Sequence, residues 1–167
     1  MVELVTRGRN KNALRGGDGP VQEFLAIVLA GELYGVPLAK VREIVTPPPI
    51  TRVPRAPREV LGVCSVRGLL TTVVDLRLRL NVHAGEQTRR TRILLIQLEG
   101  SEVIGLLVDE VRQVARLAET EIEVASSALG GDISEHVRGI GRPSAKNAMG
   151  EGVMVLLDVK TIVVGHK

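Results

Sequence analysis

The sequence predicts an all-β protein with a few short helices, built as two similar small β-barrels packed against each other. Three observations carry that expectation. Short apolar runs recur at intervals of roughly eight to twelve residues with Gly and Pro between them, a spacing that suits sandwiches and barrels rather than strand–helix–strand units. Hydrophobic residues make up 44% of the 167-residue chain but aromatic residues only 1%, and Phe24 and Tyr34 are the only rings. The core is therefore aliphatic, and β-branched side chains favour the pleated, half-buried surface of a strand. The third observation is an internal repeat.

Tyr34–Val45 (YGVPLAKVREIV) lies over Ile104–Ala115 (IGLLVDEVRQVA), with Gly35/Gly105, Val41/Val111 and Arg42/Arg112 identical. Apolar residues match at Val36/Leu106, Leu38/Val108 and Ile44/Val114. Further on, Val60–Val63 lies over Val137–Ile140 around Gly62/Gly139, and Val73–Arg77 lies over Leu156–Lys160 around Asp75/Asp158. Three matches in one order point to a duplication, with approximate repeats 24–81 and 92–165. Each half is too short to bury a full core alone, so the two are expected to pack together.

The elements follow in order. Residues 1–20 are polar, basic and glycine-rich without periodicity, which predicts a flexible basic tail ahead of a domain over 21–167. FLAIVLA, from Phe24, reads as a buried strand. In LYGVPLAKVREIV, Gly35 and Pro37 argue against a helix and for two short strands or one bent strand. Five prolines between Pro47 and Pro57 make the next stretch extended and stiff. EVLGVCSVRGLLTTVVDL reads as two strands about a turn at Arg67-Gly68. Asp75 is placed to cap a short helix that Asn81 ends, and Asp158 to cap its counterpart. A basic loop spans 82–92. The second half runs RILLIQL, a turn at Glu99-Gly100, VIGLLVDEVRQVARL, ETEIEVASSALGGD, HVRGIGRPSAKNAMGEG and VMVLLDVKTIVV, and its loop GRPSAKNAMGEG is longer than the turn after Arg67 in the first half.

Little in the chain points to catalysis. His83, His136 and His166 lack metal-ligand spacing, and a single cysteine cannot build a structural zinc site. Cys64 lies in an apolar strand, as a buried small residue does. GRPSAKN lacks the GxxxxGK[ST] phosphate-loop spacing. No enzyme activity, metal, cofactor or small-molecule substrate is expected. The absence of a signal-like apolar leader or a spanning run predicts a cytoplasmic protein. Net charge is +3, but Arg52, Arg55, Arg58, Arg67, Arg77, Arg79, Arg89, Arg90 and Arg92 crowd the middle. That crowding leaves a basic β-barrel nucleic-acid binder as the alternative reading. Two rings give no platform for stacking bases, and a solvated arginine-rich surface accounts for the charge more simply.

The segment YGVPLAKVREIVTPPPITRVPRAPREVLGVCSVRGLLTTVVDLRLRL, followed by IGLLVDEVRQV, resembles the CheW family of bacterial chemotaxis adaptors. The resemblance is carried by Val41, Glu43 and Ile44; Ile50, Thr51 and Pro54; Gly62, Val63, Arg67 and Gly68; Val73, Val74, Asp75 and Leu76; then Gly105, Val108, Asp109 and Val111. It covers about Glu23 to Val164. Ser65 stands where the family commonly has Asn, and Cys64 where it has a residue such as Thr or Ile. The resemblance implies two intertwined five-stranded SH3-like barrels and a non-catalytic adaptor that couples a methyl-accepting chemoreceptor to a CheA-type histidine kinase regulatory domain. It further implies a kinase face at Leu25, Leu38 and Val41, and a receptor face in the groove between barrels near Glu43, Gly62, Val63 and Arg67. The isolated protein is expected to be a monomer without membrane insertion.

Overall fold

The structure is a computed structural model, and it describes residues 20–125, 135–143 and 152–164. The expected flexible tail, the long loop after Arg142 beyond Pro143 and His166 lie outside the described residues. The strands are β1 (Val21–Leu29), β2 (Glu32–Pro37), β3 (Val41–Val45), β4 (Val60–Val66), β5 (Leu69–Asp75), β6 (Arg92–Gln97), β7 (Val103–Val108), β8 (Glu110–Ala118), β9 (Ile122–Val124), β10 (Val137–Gly141) and β11 (Met154–Leu157). Two short helices, α1 (Leu76–Arg79) and α2 (Val159–Val164), follow β5 and β11. Single 3-10 turns at Leu38–Lys40 and Glu119–Glu121 lead into β3 and β9.

The strands form two sheets, in the orders β8-β1-β2-β11-β10-β9 and β3-β6-β7-β5-β4. The sequence repeats and the sheets do not coincide. Strands β1 and β2 leave the first repeat to join the later strands, and β6 and β7 leave the second to join β3–β5. The exchange is sealed by two equivalent parallel pairings. Val73 of β5 faces Gly105 of β7, and Leu156 of β11 faces Gly35 of β2. Each sheet also curls back on itself. Glu43 on β3 and Arg67 after β4 come from opposite edges of the second sheet, yet they are hydrogen-bonded.

The first sheet has six strands rather than the five expected, because β9 pairs with β10 through Gly139↔Val124, Ile140↔Glu123 and Gly141↔Ile122. At the equivalent place in the second sheet only Thr51 and Val63 bridge, with both N–H···O bonds at 2.8 Å. The prolines on either side of Thr51 fix φ and remove donors, so the bridge cannot extend into a strand.

Three apolar cores result. The largest lies between the sheets and joins Leu25, Ile27 and Val36 of the first to Leu94, Ile96 and Leu106 of the second, with α1 and α2 at its ends. Smaller cores fill each sheet's own curl, one around Phe24, Leu117 and Met154 and one around Val73, Ile93 and Leu107. Strands β1 and β6 therefore have apolar surroundings on both faces. Their sequences, FLAIVL and ILLI, are continuous apolar runs for that reason, since alternation requires one wet face.

Backbone geometry repeats with the sequence. A Cβ on Gly62 would lie 2.0 Å from the Thr51 carbonyl oxygen, and one on Gly139 would lie 2.6 Å from that of Glu123. Both glycines are needed for close approach of a neighbouring backbone, and Gly62 has a positive φ of 146° as well. Beyond each, the Asp N–H donates at 2.7 Å to a carbonyl just before the glycine strand: Asp75 to Glu59, Asp158 to His136. Each Asp then caps its helix. Asp75 Oδ1 accepts from the Arg77 N–H at 3.0 Å and Asp158 Oδ1 from that of Lys160 at 3.1 Å. Asn81, at a φ of 58°, ends the first helix as expected.

Candidate functional site

Arg67 and Gly68 turn β4 into β5 with φ values of 52° and 80°. Two successive positive φ values match the twist of a tight hairpin, and Gly at the second position suits it. The turn projects the Arg67 side chain across the curl to β3, where its Nε donates to Glu43 Oε1 at 3.1 Å and its Nη2 donates to Oε2. This hydrogen-bonded guanidinium holds the Glu43 carboxyl below its ordinary range, and Glu43 in turn raises Arg67. The Arg67 side chain is 74% exposed, so solvent screens the pair and it adds little to folding.

Beside it lie Leu69 and Leu70, exposed by 66% and 77%. Together with Glu43, Arg67, Leu95 and Val103 they border a shallow hollow of about 270 Å³. Every one of those residues belongs to the second sheet or its connections. The hollow is therefore not the groove between barrels in which the receptor face was expected. An inter-sheet groove does exist elsewhere, with a volume of about 450 Å³, between Ala39 and Lys40, Leu98 and Glu99, and Val159 and Val163 of α2.

The remaining expected site residues divide. Glu43 and Arg67 meet directly. Gly62 is buried and has no side chain to offer; it acts on the backbone beneath Thr51, while half-buried Val63 makes the bridge. Leu38 and Val41 are half-buried at the passage from one sheet to the other, and both pack against the shared core. Leu25 is a correction. It is only 3% exposed, because β1 is flanked by β8 and β2 and its side chain points into the inter-sheet core. It supports that patch from beneath and cannot touch a partner.

Two exposed surfaces and a framework of exchanged strands are thus in place, and residues 23–165 match the CheW-like domain family. The chain belongs to the CheW family. It is 38% identical over 120 residues to the chemotaxis protein CheW of Rhizobium meliloti, covering 72% of this chain and 68% of that protein. Identity to the CheW of Helicobacter pylori is 31% over 122 residues, or 73% of each chain. The fold is similar to the crystal structure of the scaffolding protein TtCheW from Thermoanaerobacter tengcongensis, with a TM-score of 0.72, 25% identity and coverage of 83% of this chain and 90% of that one. The protein is accordingly a chemotaxis adaptor of the CheW type, a family of non-catalytic scaffolds. These likenesses do not favour the nucleic-acid reading.

Within this CheW fold one residue escaped sequence reasoning. Arg77, grouped above with solvated arginines, is 3% exposed. Its Nε and Nη2 donate to the two oxygens of Asp75 at 2.9 and 2.8 Å, and its Nη1 donates to Asp109 Oδ1 at 2.7 Å and to the Gly85 carbonyl at 2.9 Å. Asp109 Oδ2 accepts from the Ala30 N–H at 2.7 Å, at the β1–β2 turn of the other sheet. The Asp75 hydrogen bonds, more than any other contact, raise the Arg77 pKa and keep it charged although buried. Arg79 is also partly covered, its Nε donating to the Ile162 carbonyl of α2 at 3.1 Å. Both are braces between the exchanged halves.

Cys64 is buried, and burial pushes its thiol up, away from the reactive thiolate form. Among the described residues no group of three or more His, Cys, Asp or Glu side chains is arranged to hold a metal ion. Among them, too, no helix is long and apolar enough to cross a membrane.

Proposed function

We propose that this CheW-family adaptor acts in the cytoplasm, without a reaction of its own, by holding a methyl-accepting chemoreceptor and a CheA-type histidine kinase on two separate faces. The observation that carries the proposal is the surface around the Glu43–Arg67 pair, where Leu69 and Leu70 stand out into solvent at 66% and 77% exposure. Two adjacent exposed leucines beside an ion pair that folding does not need make a surface suited to a partner's apolar residue with a polar rim. We assign the receptor to this hollow. The kinase is assigned to the patch of Leu38 and Val41, which lies at the free edge of β3. An adaptor of this kind changes kinase output only through its different affinity for the kinase's two states, so geometry is its whole contribution.

The test is a reconstituted array of kinase, receptor and adaptor. Arg67→Glu places two like charges together at the hollow and should abolish receptor-dependent activation of the kinase while leaving kinase binding intact. Val41→Asp should weaken kinase binding in titration calorimetry, in a protein that still unfolds cooperatively. Unchanged activation with Arg67→Glu, or unchanged kinase affinity with Val41→Asp, would show the corresponding face to be misassigned.

A further inference from the structure

Neither proposed face uses the arginines gathered beside the start of β8. The loop that leads into β6 meets the start of β8 in a concavity of about 430 Å³, lined by Arg90, Arg92, Glu110, Val111 and Arg112. Three guanidiniums thus face one carboxylate, and Arg89 adjoins them. Glu110 pairs with two of them, its Oε1 2.9 Å from Arg112 Nε and its Oε2 3.8 Å from Arg90 Nη1, and one carboxylate shared among three guanidiniums leaves the site positively charged. The Arg90 and Arg112 side chains are 75% and 54% exposed.

The arginines stand on a pinned turn rather than a loose loop. Thr91 is 2% exposed, its Oγ1 accepts from the Thr88 N–H at 2.8 Å, and Thr88 Oγ1 accepts from the Arg90 N–H at 3.0 Å. Arg92 Nη1 donates to the carbonyls of Arg89 and Thr91, each at 2.7 Å. The nearby carboxylate of Asp109 is already engaged by Arg77 and by the Ala30 N–H. A planar guanidinium donates to a carboxylate through two parallel N–H groups, and holding its backbone in advance lowers the entropy lost on binding.

We propose that this concavity is a third docking site, independent of the two assigned above, and that it takes an acidic peptide segment of a partner protein. Two features favour a carboxylate-bearing peptide over nucleic acid. The Glu110 carboxylate sits inside the hollow, where it would oppose each phosphate of a continuous backbone but can be avoided by discrete acidic side chains. No ring is available for stacking, since Phe24 is buried and Tyr34 is half-buried on β2.

The site is tested with the full chain at low ionic strength, by fluorescence anisotropy with a labelled peptide of alternating Glu and Gly and a Gln-for-Glu control peptide. The Glu peptide should bind and the Gln peptide should not. Arg90→Glu with Arg112→Glu should weaken binding by at least about tenfold, whereas Arg52→Glu with Arg55→Glu, which changes net charge equally on the proline loop, should alter it by less than about twofold. Glu110→Gln should tighten binding, a gain that a merely structural role cannot give. The proposal is overturned if the wild-type chain does not distinguish the two peptides, or if the proline-loop variant loses as much affinity as the Arg90/Arg112 variant. Failure of Glu110→Gln to tighten binding, or tighter binding of duplex DNA at the same arginines, overturns it equally.

Discussion

At the end of β5 and at the end of β11 the chain performs the same manoeuvre with different chemistry. In both places a strand that crosses into parallel pairing stops at an aspartate, which caps a short helix by accepting from the N–H two residues on. After Asp75 comes Arg77, buried and bonded to Asp75, Asp109 and Gly85. After Asp158 comes Lys160, exposed. By the repeat, the counterpart of Asp109 is Ala39, so the second junction lacks both halves of the ionic brace. Ala39 and Lys160 border the open inter-sheet groove of about 450 Å³. The backbone of the duplicated unit has been kept while its side chains have diverged, one junction into an internal strut and the other into an accessible groove.

Breaking the strut gives the largest expected effect. Arg77→Met leaves Asp75 buried without its cation and should cost about 3–5 kcal/mol in urea unfolding, while Lys160→Met should stay within about 0.5 kcal/mol. Equal effects at the two positions would show that the junctions are not so different as their burial implies. Next come the paired glycines. Gly62→Ala and Gly139→Ala both force a Cβ against a carbonyl, and each should cost about 2–4 kcal/mol, with Gly62 the larger because its positive φ adds backbone strain. A larger loss at Gly139 would reverse that ordering.

The smallest effect is a pH dependence confined to the second junction. His136 stands where the first repeat has Glu59, and its Nδ1 lies 3.0 Å from Thr161 Oγ1. Burial, aided by nearby Arg79, lowers its pKa from the ordinary 6.5. The unfolded chain therefore takes up this proton before the folded one does. Stability from this group is level above about pH 6.5 and falls as the pH drops from there towards the lowered folded pKa. His136→Gln should flatten that slope in melting temperatures measured across the window, and an unchanged slope would assign it to another group.

Much of the architecture was legible because local chemistry announces it. The Arg67-Gly68 turn, the two capping aspartates and the end of β2 at Pro37, ahead of the turn Leu38–Lys40, each reflect a backbone need met by residues close in sequence. The exchange of strands was less legible: FLAIVL and ILLI are covered on both faces, so they carry no period from which to assign a face. Leu25 was misplaced for the same reason, since nothing in an unbroken apolar run marks which members reach the surface. Arg77 was hidden among other arginines: Asp75, two residues away, was read as a helix cap alone, and the second partner Asp109, 32 residues away, is brought to it only by the fold. Glu43 and Arg67, 24 residues apart, were legible through their family pattern, although their hollow sits on one sheet rather than between two.

The claim on which the functional account rests is that one small chain holds two partners at once. Sedimentation velocity of the full chain with the purified kinase and a receptor signalling fragment tests it directly. The account predicts a single complex containing all three. Receptor and kinase displacing one another from the adaptor would contradict it.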